Sequence, residues 1–466
     1  MKGLVFERNL ARFAASRLVS AVGGSGRGVS LGPLRLTDVE APELPGPDWQ
    51  RVRPLLAGIC GSDLSTLDGR SSRYFEDVVS FPFVPGHEVL GVIDEDDAAR
   101  DGAPTGDRGG TRVVVEPVLG CVARGIDPPC PACAQGRTGG CERVAFGHLA
   151  PGLQIGFCTD TGGGWSAGGL VAHESQLHRV PDALSDDDAV MVEPTACAVH
   201  AALDAAVDPG ATVAVLGAGT LGLCTVAAMT HLHTPGTLLV GARYAHQRRL
   251  AEELGADVVV DPEQLTRAVR RRSRSLEFSK TLTGGADVVV DCVGSDQSMA
   301  QALAMVRPRG RVVLVGMPGR VTVDLASLWH REVSISGAYA YGTELLDGVH
   351  RRTFDIAMEV VAATGLGRLV SARYPLERFE EALAHAGAAG SRGAVKIVFD
   401  LRRPAVRATS PTPRATSPAR RATSPARRAT SPARRSTPPA TRGGARREQD
   451  RTTSRTTARP RKGSPS

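Results

Sequence analysis

The sequence predicts an α/β protein in three parts: a strand-rich first part, a doubly wound parallel sheet, and a disordered basic tail. Three observations carry this prediction. Up to about residue 190, short apolar runs such as MKGLVF, EVLGVID and RVVVEPV are bounded by Gly and Pro turns, with no long amphipathic helix. From Ala211 onward, near-continuous Val/Leu runs alternate with helical stretches, the pattern of a parallel sheet covered on both faces. Beyond Leu401 the composition collapses to Arg, Ala, Thr, Ser and Pro.

The alternation is regular. TVAVLGAG precedes the helical TLGLCTVAAMTHL, and TLLVGA precedes AHQRRLAEELGA. DVVVD leads into a basic helical stretch, ADVVVDCVG into DQSMAQALAMV, and GRVVLVGMP closes the series. After Tyr341 the pattern predicts a helix over ELLDGVHRRTFDIAMEVVAA, then RYPLERFEEALAHAG and a last strand, VKIVFD, compatible with a return to the first part. The expected boundaries are 1–194 (with a cysteine lobe at 117–145), 195–342, 343–400 and 401–466. In the tail, RATSP begins at Arg407, Arg414, Arg421 and Arg428, with a degenerate copy at Arg435. The seven-residue period lacks an apolar seam and every repeat carries Pro, so disorder is expected rather than a coiled coil.

The 466 residues leave room for two or three domains, and 42% hydrophobic residues suit a large buried core. Aromatics at 4% argue against a base-stacking platform. The net charge of +7 conceals a division: 401–466 holds 18 Arg/Lys against Glu448 and Asp450, leaving 38 basic and 47 acidic residues in 1–400. The body is mildly acidic and the tail strongly basic. Neither a signal peptide nor a stretch apolar enough for a membrane span is visible, so the expected location is cytoplasmic. Nine clustered cysteines suit metal binding in a reducing compartment better than a disulfide framework.

Gly217, Gly219 and Gly222 form G-x-G-x-x-G between the strand TVAVL and a helix that opens at Thr220 and Leu221. The first Gly allows a tight turn, the second lets backbone approach a pyrophosphate, and the third permits close helix–strand packing. The helix N-terminus offers free N–H donors to the anion. This context reads as a Rossmann dinucleotide loop rather than a mere glycine turn. The acidic residue expected at the end of the next strand is absent; Ala242 and Arg243 stand there, followed by Arg248 and Arg249. Removing a carboxylate and adding Arg favours NADP(H) over NAD(H), although Arg243 also fits a solvated loop charge.

Cys121, Cys130, Cys133 and Cys141 fall within 21 residues, and the C-x-x-C pair has the spacing of a zinc chelate. Disulfides or buried thiols are the competing reading. A second set is dispersed: Cys60 in GICGSD, His87 and Glu88 in GHE, and Glu193 in VEP. These are the ligand types of a catalytic zinc that keeps one position open. Singly, Cys60 reads as a buried small hydrophobe and Glu88 as a surface acid; the conjunction with a dinucleotide loop gives them meaning.

GICGSD, PGHEVLG, the four-cysteine lobe, VEPTACAVHA and VLGAGTLGL together resemble the zinc-binding medium-chain dehydrogenase/reductase family over about residues 1–400. The resemblance implies a GroES-like β-rich catalytic domain, interrupted by a Rossmann domain and completed by the C-terminal segment, in dimers or tetramers. It implies that Cys60, His87 and Glu193 ligate a catalytic zinc, with Glu88 a neighbouring carboxylate or exchangeable fourth ligand. Ser62 matches the hydroxyl of the proton relay and Asp63 the acid that orients the zinc-bound His. The four-cysteine set would hold a structural zinc. The implied reaction is hydride transfer between an alcohol or carbonyl substrate and the nicotinamide, with zinc acidifying the hydroxyl. Three features depart from the family pattern: VARGIDPP widens the first cysteine gap, Glu193 stands where simple alcohol dehydrogenases have Cys, as in polyol and threonine branches, and the Arg-rich tail has no counterpart.

Two other readings compete. A zinc-free enone or quinone reductase would share the fold, but the intact Cys60, His87 and Glu193 set argues against it. A polyanion-binding protein would act through the tail, whose +16 would attract phosphate backbones weakly and without sequence preference.

Overall fold

The computed structural model describes residues 1–94 and 110–402; all but the first two positions of the expected tail lie outside these residues. A six-stranded, wholly parallel sheet runs in the spatial order Val258–Val260, Thr237–Gly241, Thr212–Leu216, Ala286–Asp291, Val306–Leu314, Ser334–Gly337. Numbered along the chain this is 3-2-1-4-5-6, so the order reverses between Thr212–Leu216 and Ala286–Asp291. In open parallel sheets the crevice at that reversal is where a dinucleotide lies. The Val-rich strands are buried on both faces, as their lack of polar alternation requires.

The second sheet has seven strands. Its path runs Val370–Tyr374, Lys396–Asp400, Trp49–Gly58, Val89–Ile93, Arg112–Val115, Leu177–Arg179, and Leu170–His173 also pairs with the long strand Trp49–Gly58. Lys396–Asp400, near the end of the described chain, runs antiparallel to Trp49–Gly58, so the C-terminal segment completes the sheet begun at the N-terminal end. One apolar core joins the two sheets: Leu56, Leu90 and Val114 meet the helix Val192–Asp204, which packs in turn towards Val213 and Val215. That helix carries Glu193 in its first turn, so this buried carboxylate is anchored in the shared core.

Two local expectations fail. The first part does contain a helix, Leu10–Gly23, whose N-terminus is capped by Asn9 accepting from the Arg12 N–H and whose end is set by Gly24 at φ +94°. Its outer face is apolar (Leu10, Leu18 and Val22 are exposed), which blurs the amphipathic signal. The helix expected from Glu344 begins only at Thr353. Thr343–Leu346 and Val349–Arg352 form a hairpin instead, because Asp347 and Gly348 both take positive φ (51° and 78°) and close the tight turn that an Asp-Gly pair favours.

Candidate active site and metal centres

Cys60 ends an extended segment and caps the helix Gly61–Leu67, which aims the following side chains back at its own N-terminus. Asp63, in the first turn, accepts from the Cys60 N–H at 2.9 Å through Oδ2 and faces His87 Nδ1 at 3.5 Å through Oδ1. One carboxylate therefore fixes both the backbone of a thiol and the ring of an imidazole. The other ring nitrogen, Nε2, lies 3.5 Å from Ser62 Oγ. His87 itself is 3% exposed, and burial disfavours its charge, but Asp63 and Cys60 together hold its pKa well above the ordinary value.

The thiol of Cys60, the imidazole of His87 and the carboxylate of Glu88 bring ligand atoms within 4.8 Å of one another. Glu193 lies outside that tight group. Its Oε1 instead accepts a 2.9 Å hydrogen bond from the phenol of Tyr341, and burial pushes its pKa up to about 7. Glu88 is paired with the buried ammonium of Lys396, which also donates to Ile59 O at 3.2 Å. Burial works against the Lys396 charge, yet Glu88, with Cys60 and Glu193, raises its pKa. Gly58 makes this pairing feasible, since a Cβ there would lie 1.8 Å from Glu88 Oε2. A half-buried thiol converging with a buried imidazole and a buried carboxylate is the donor set of a zinc site, so the residues fit that ion.

The second cluster is Cys121, Cys130, Cys133 and Cys141, again with ligand atoms within 4.8 Å, and all nine cysteines are free thiols. Backbone N–H groups point at the sulfurs: Cys130 N–H to Cys121 Sγ at 3.3 Å, Arg143 N–H to Cys141 Sγ at 3.4 Å and Cys121 N–H to Cys133 Sγ at 3.5 Å. Such donors stabilise thiolates: burial works against the Cys130 thiolate, but the Cys133 and Glu142 N–H groups, each 3.5 Å from its sulfur, help bring its pKa down to about 6, whereas burial pushes the Cys133 and Cys141 thiols up. Four cysteine sulfurs gathered in this way are the donor set of a tetrahedral structural zinc, so the residues fit that ion. The inserted residues of the first gap have a use. Arg124 is fully buried and donates to the carbonyls of Leu119, Phe146, Leu149, Ala150 and Gly152, riveting the lobe together.

At the dinucleotide crevice Gly217 has φ +91°, and Gly219 caps the helix Thr220–Leu232 with open space where a side chain would project. A Cβ on Gly222 would stand 2.0 Å from Gly217 O, so this position tolerates no side chain without moving the loop. Gly222→Ala is expected to weaken dinucleotide binding at least tenfold with both metal sites still filled; fluorescence titration and metal content would check this. Thr220 donates to Val395 O at 3.2 Å, one residue before Lys396, while Leu221 is partly buried beside it. Arg243 is exposed at the end of its strand, whereas Arg248 is committed to the carbonyls of Ala242 and Arg243 at 2.9 and 2.8 Å.

Sequence reasoning missed Tyr341, Lys396 and Arg124. For Lys396 a signal existed: a lone charge inside the apolar run AVKIVFD is either an edge residue or a buried counter-ion. His200 bonds Glu344 at 2.7 Å on the flank of the helix that carries Glu193.

Among the described residues no helix is long and apolar enough to cross a membrane. Two domain-family models match: an alcohol dehydrogenase GroES-like domain over 46–182 and a zinc-binding dehydrogenase domain over 220–363. A sorbitol dehydrogenase of Arabidopsis thaliana is 30% identical over 377 residues, 80% of this chain and 94% of the relative. An L-idonate 5-dehydrogenase of Vitis vinifera is 29% identical over 360 residues, covering 76% and 89%. A zinc-binding dehydrogenase from Sinorhizobium meliloti 1021, solved with NADP bound, is 28% identical and superposes with a TM-score of 0.60, covering 81% of this chain and 98% of that one. With both metal clusters and the dinucleotide crevice in place, the chain belongs to the zinc-dependent medium-chain alcohol dehydrogenase family and is a nicotinamide-linked oxidoreductase acting on small alcohols.

Proposed function

We propose that the chain oxidises a polyol or related secondary alcohol, with NADP+ preferred over NAD+ as hydride acceptor. The observation that carries the reading is the convergence of Cys60, His87 and Glu88 within 4.8 Å, with Glu193 nearby on the shared core helix. A bound zinc would supply a Lewis acid that makes an alcohol hydroxyl easier to deprotonate. Cys60 and His87 would hold it with Glu88 or Glu193 as the carboxylate ligand, and the four-cysteine lobe would hold the structural ion. Asp63 keeps the proton on His87 Nδ1, leaving Nε2 free to act as a ligand. Ser62, 3.5 Å from that nitrogen, takes the substrate proton towards solvent. Glu193, fixed by Tyr341 through Oε1, keeps Oε2 for the metal or for a substrate hydroxyl. The intact ligand set disfavours the zinc-free reductase reading.

The NADP preference rests on Arg243, exposed where an acidic residue would hold a ribose hydroxyl. Arg243→Ala is expected to raise KM for NADP+ about tenfold and leave KM for NAD+ within twofold, as loss of one charge-assisted phosphate contact would. Steady-state kinetics over a panel of polyols and simple alcohols, with both cofactors, tests substrate class and cofactor together. Equal KM changes for both would leave Arg243 a solvated loop charge.

The residues 1–194 and 343–400 form the catalytic part in this reading and 195–342 the dinucleotide part. The sheet edge at Ser334–Gly337, with Trp329 and Ile335 exposed beside it, supports a homo-oligomer. Nine free thiols support a reducing, cytoplasmic setting.

A further inference from the structure

We propose that the four-cysteine lobe is a positioning device for Glu193, acting through Tyr341, and not only a staple for the fold. This rests on the reading of Glu193 as a group of the reacting centre. The turn that links Cys133 to Cys141 docks directly on the segment around Tyr341. Thr138 donates its hydroxyl to Tyr341 O at 3.1 Å and the Gly139 N–H reaches the same oxygen at 3.3 Å. The Thr343 N–H returns a 2.9 Å bond to Gly136 O. The approach is close enough to need glycine on both sides: a Cβ on Gly342 would lie 2.1 Å from Gly136 O, and one on Gly139 would lie 2.9 Å from Tyr339 O.

Tyr341 is 2% exposed and wedged edge-on against Phe354, ring centroids 4.8 Å apart. Its carbonyl thus belongs to the lobe and its phenol to the catalytic carboxylate, at 2.9 Å. One residue links the turn between two lobe cysteines to Glu193. The phenol has one proton to donate, and donating it to Oε1 sets the rotamer of Glu193 and leaves Oε2 for a ligand or substrate. Because the turn is bracketed by two of the four cysteines, its shape depends on those sulfurs being gathered. Tyr341 is a positioning residue, and Thr138 positions it in turn.

The test uses the full-length, metal-loaded protein and four variants: Tyr341→Phe, Thr138→Val, Thr138→Ser and the double Thr138→Val/Tyr341→Phe. Tyr341→Phe is expected to lower kcat about tenfold, the loss of one hydrogen bond to a buried carboxylate, with cofactor KM unchanged. Thr138→Val should give a smaller fall, about threefold, again in kcat, and Thr138→Ser should restore it by keeping the hydroxyl. The double variant should match Tyr341→Phe alone, because both changes act through one bond. Hydrogen exchange supplies a second readout: amides at 341–343 should exchange faster in Thr138→Val while zinc content stays unchanged. Multiplicative losses in the double variant, or a Thr138→Val protein that loses thermal stability but keeps kcat, would overturn the coupling. Glu193→Gln with unchanged turnover would instead overturn the role of Glu193 itself, and the exchange at 341–343 would still report on the lobe contact.

Discussion

Cys60→Ala is expected to reduce zinc content from two ions per chain to one and to abolish alcohol oxidation, lowering kcat/KM at least about a thousandfold. Only one of the two clusters includes Cys60, and the lobe is held by its own four thiols and the buried Arg124, so the second ion should survive. The thiol is also the sole soft ligand of its set. Without it, an imidazole and carboxylates remain, a donor set that binds zinc less tightly and less selectively. Dinucleotide affinity should hardly change, because the crevice around Gly217 and Gly219 belongs to the other sheet. Elemental mass spectrometry beside a kinetic assay reads both quantities. A variant that keeps both ions and its activity would show that Cys60 is not a ligand and would reopen the zinc-free reductase reading.

The sequence carried most of the fold because its two parts obey different periodicities. Runs such as TVAVL and ADVVVD are too apolar for anything but doubly covered strands, and the glycines at 217, 219 and 222 mark the crevice that the 3-2-1-4-5-6 order creates. The candidate ligand residues were legible because Cys, His and carboxylate sit in compact motifs. What escaped was the support around them. Tyr341 reaches Glu193 across 148 positions, and no local pattern marks a phenol that will be buried against a carboxylate. The hairpin at 343–352 was hidden by a helical apolar spacing that the Asp347-Gly348 turn overrides. The helix Leu10–Gly23 was missed because its outer face is as apolar as its inner one. The choice between Glu88 and Glu193 as third ligand is likewise a matter of tertiary distance. The family resemblance implied Glu193, while the close group contains Glu88.

Lys396→Met should settle that choice, because it removes a counter-charge that only a metal could replace. Lys396 and Glu88 are 1% and 2% exposed, so neither charge has water to fall back on. Removing one partner of a buried pair leaves the other uncompensated, at a cost of about 3–5 kcal/mol. In metal-free protein that loss should appear in full by chemical denaturation. Changing Glu88 to Gln as well should recover most of it, since no stranded charge then remains. In zinc-loaded protein the outcome depends on where Glu88 points. If it is a ligand, the ion neutralises it and the variant should lose only about 1 kcal/mol, the worth of the remaining hydrogen bond to Ile59 O. Zinc affinity should even rise, because Lys396 no longer competes for the carboxylate. An equal loss with and without zinc would exclude Glu88 from the ligand set and leave Glu193 as the carboxylate that completes the site, with Lys396 serving only to keep its neighbour charged.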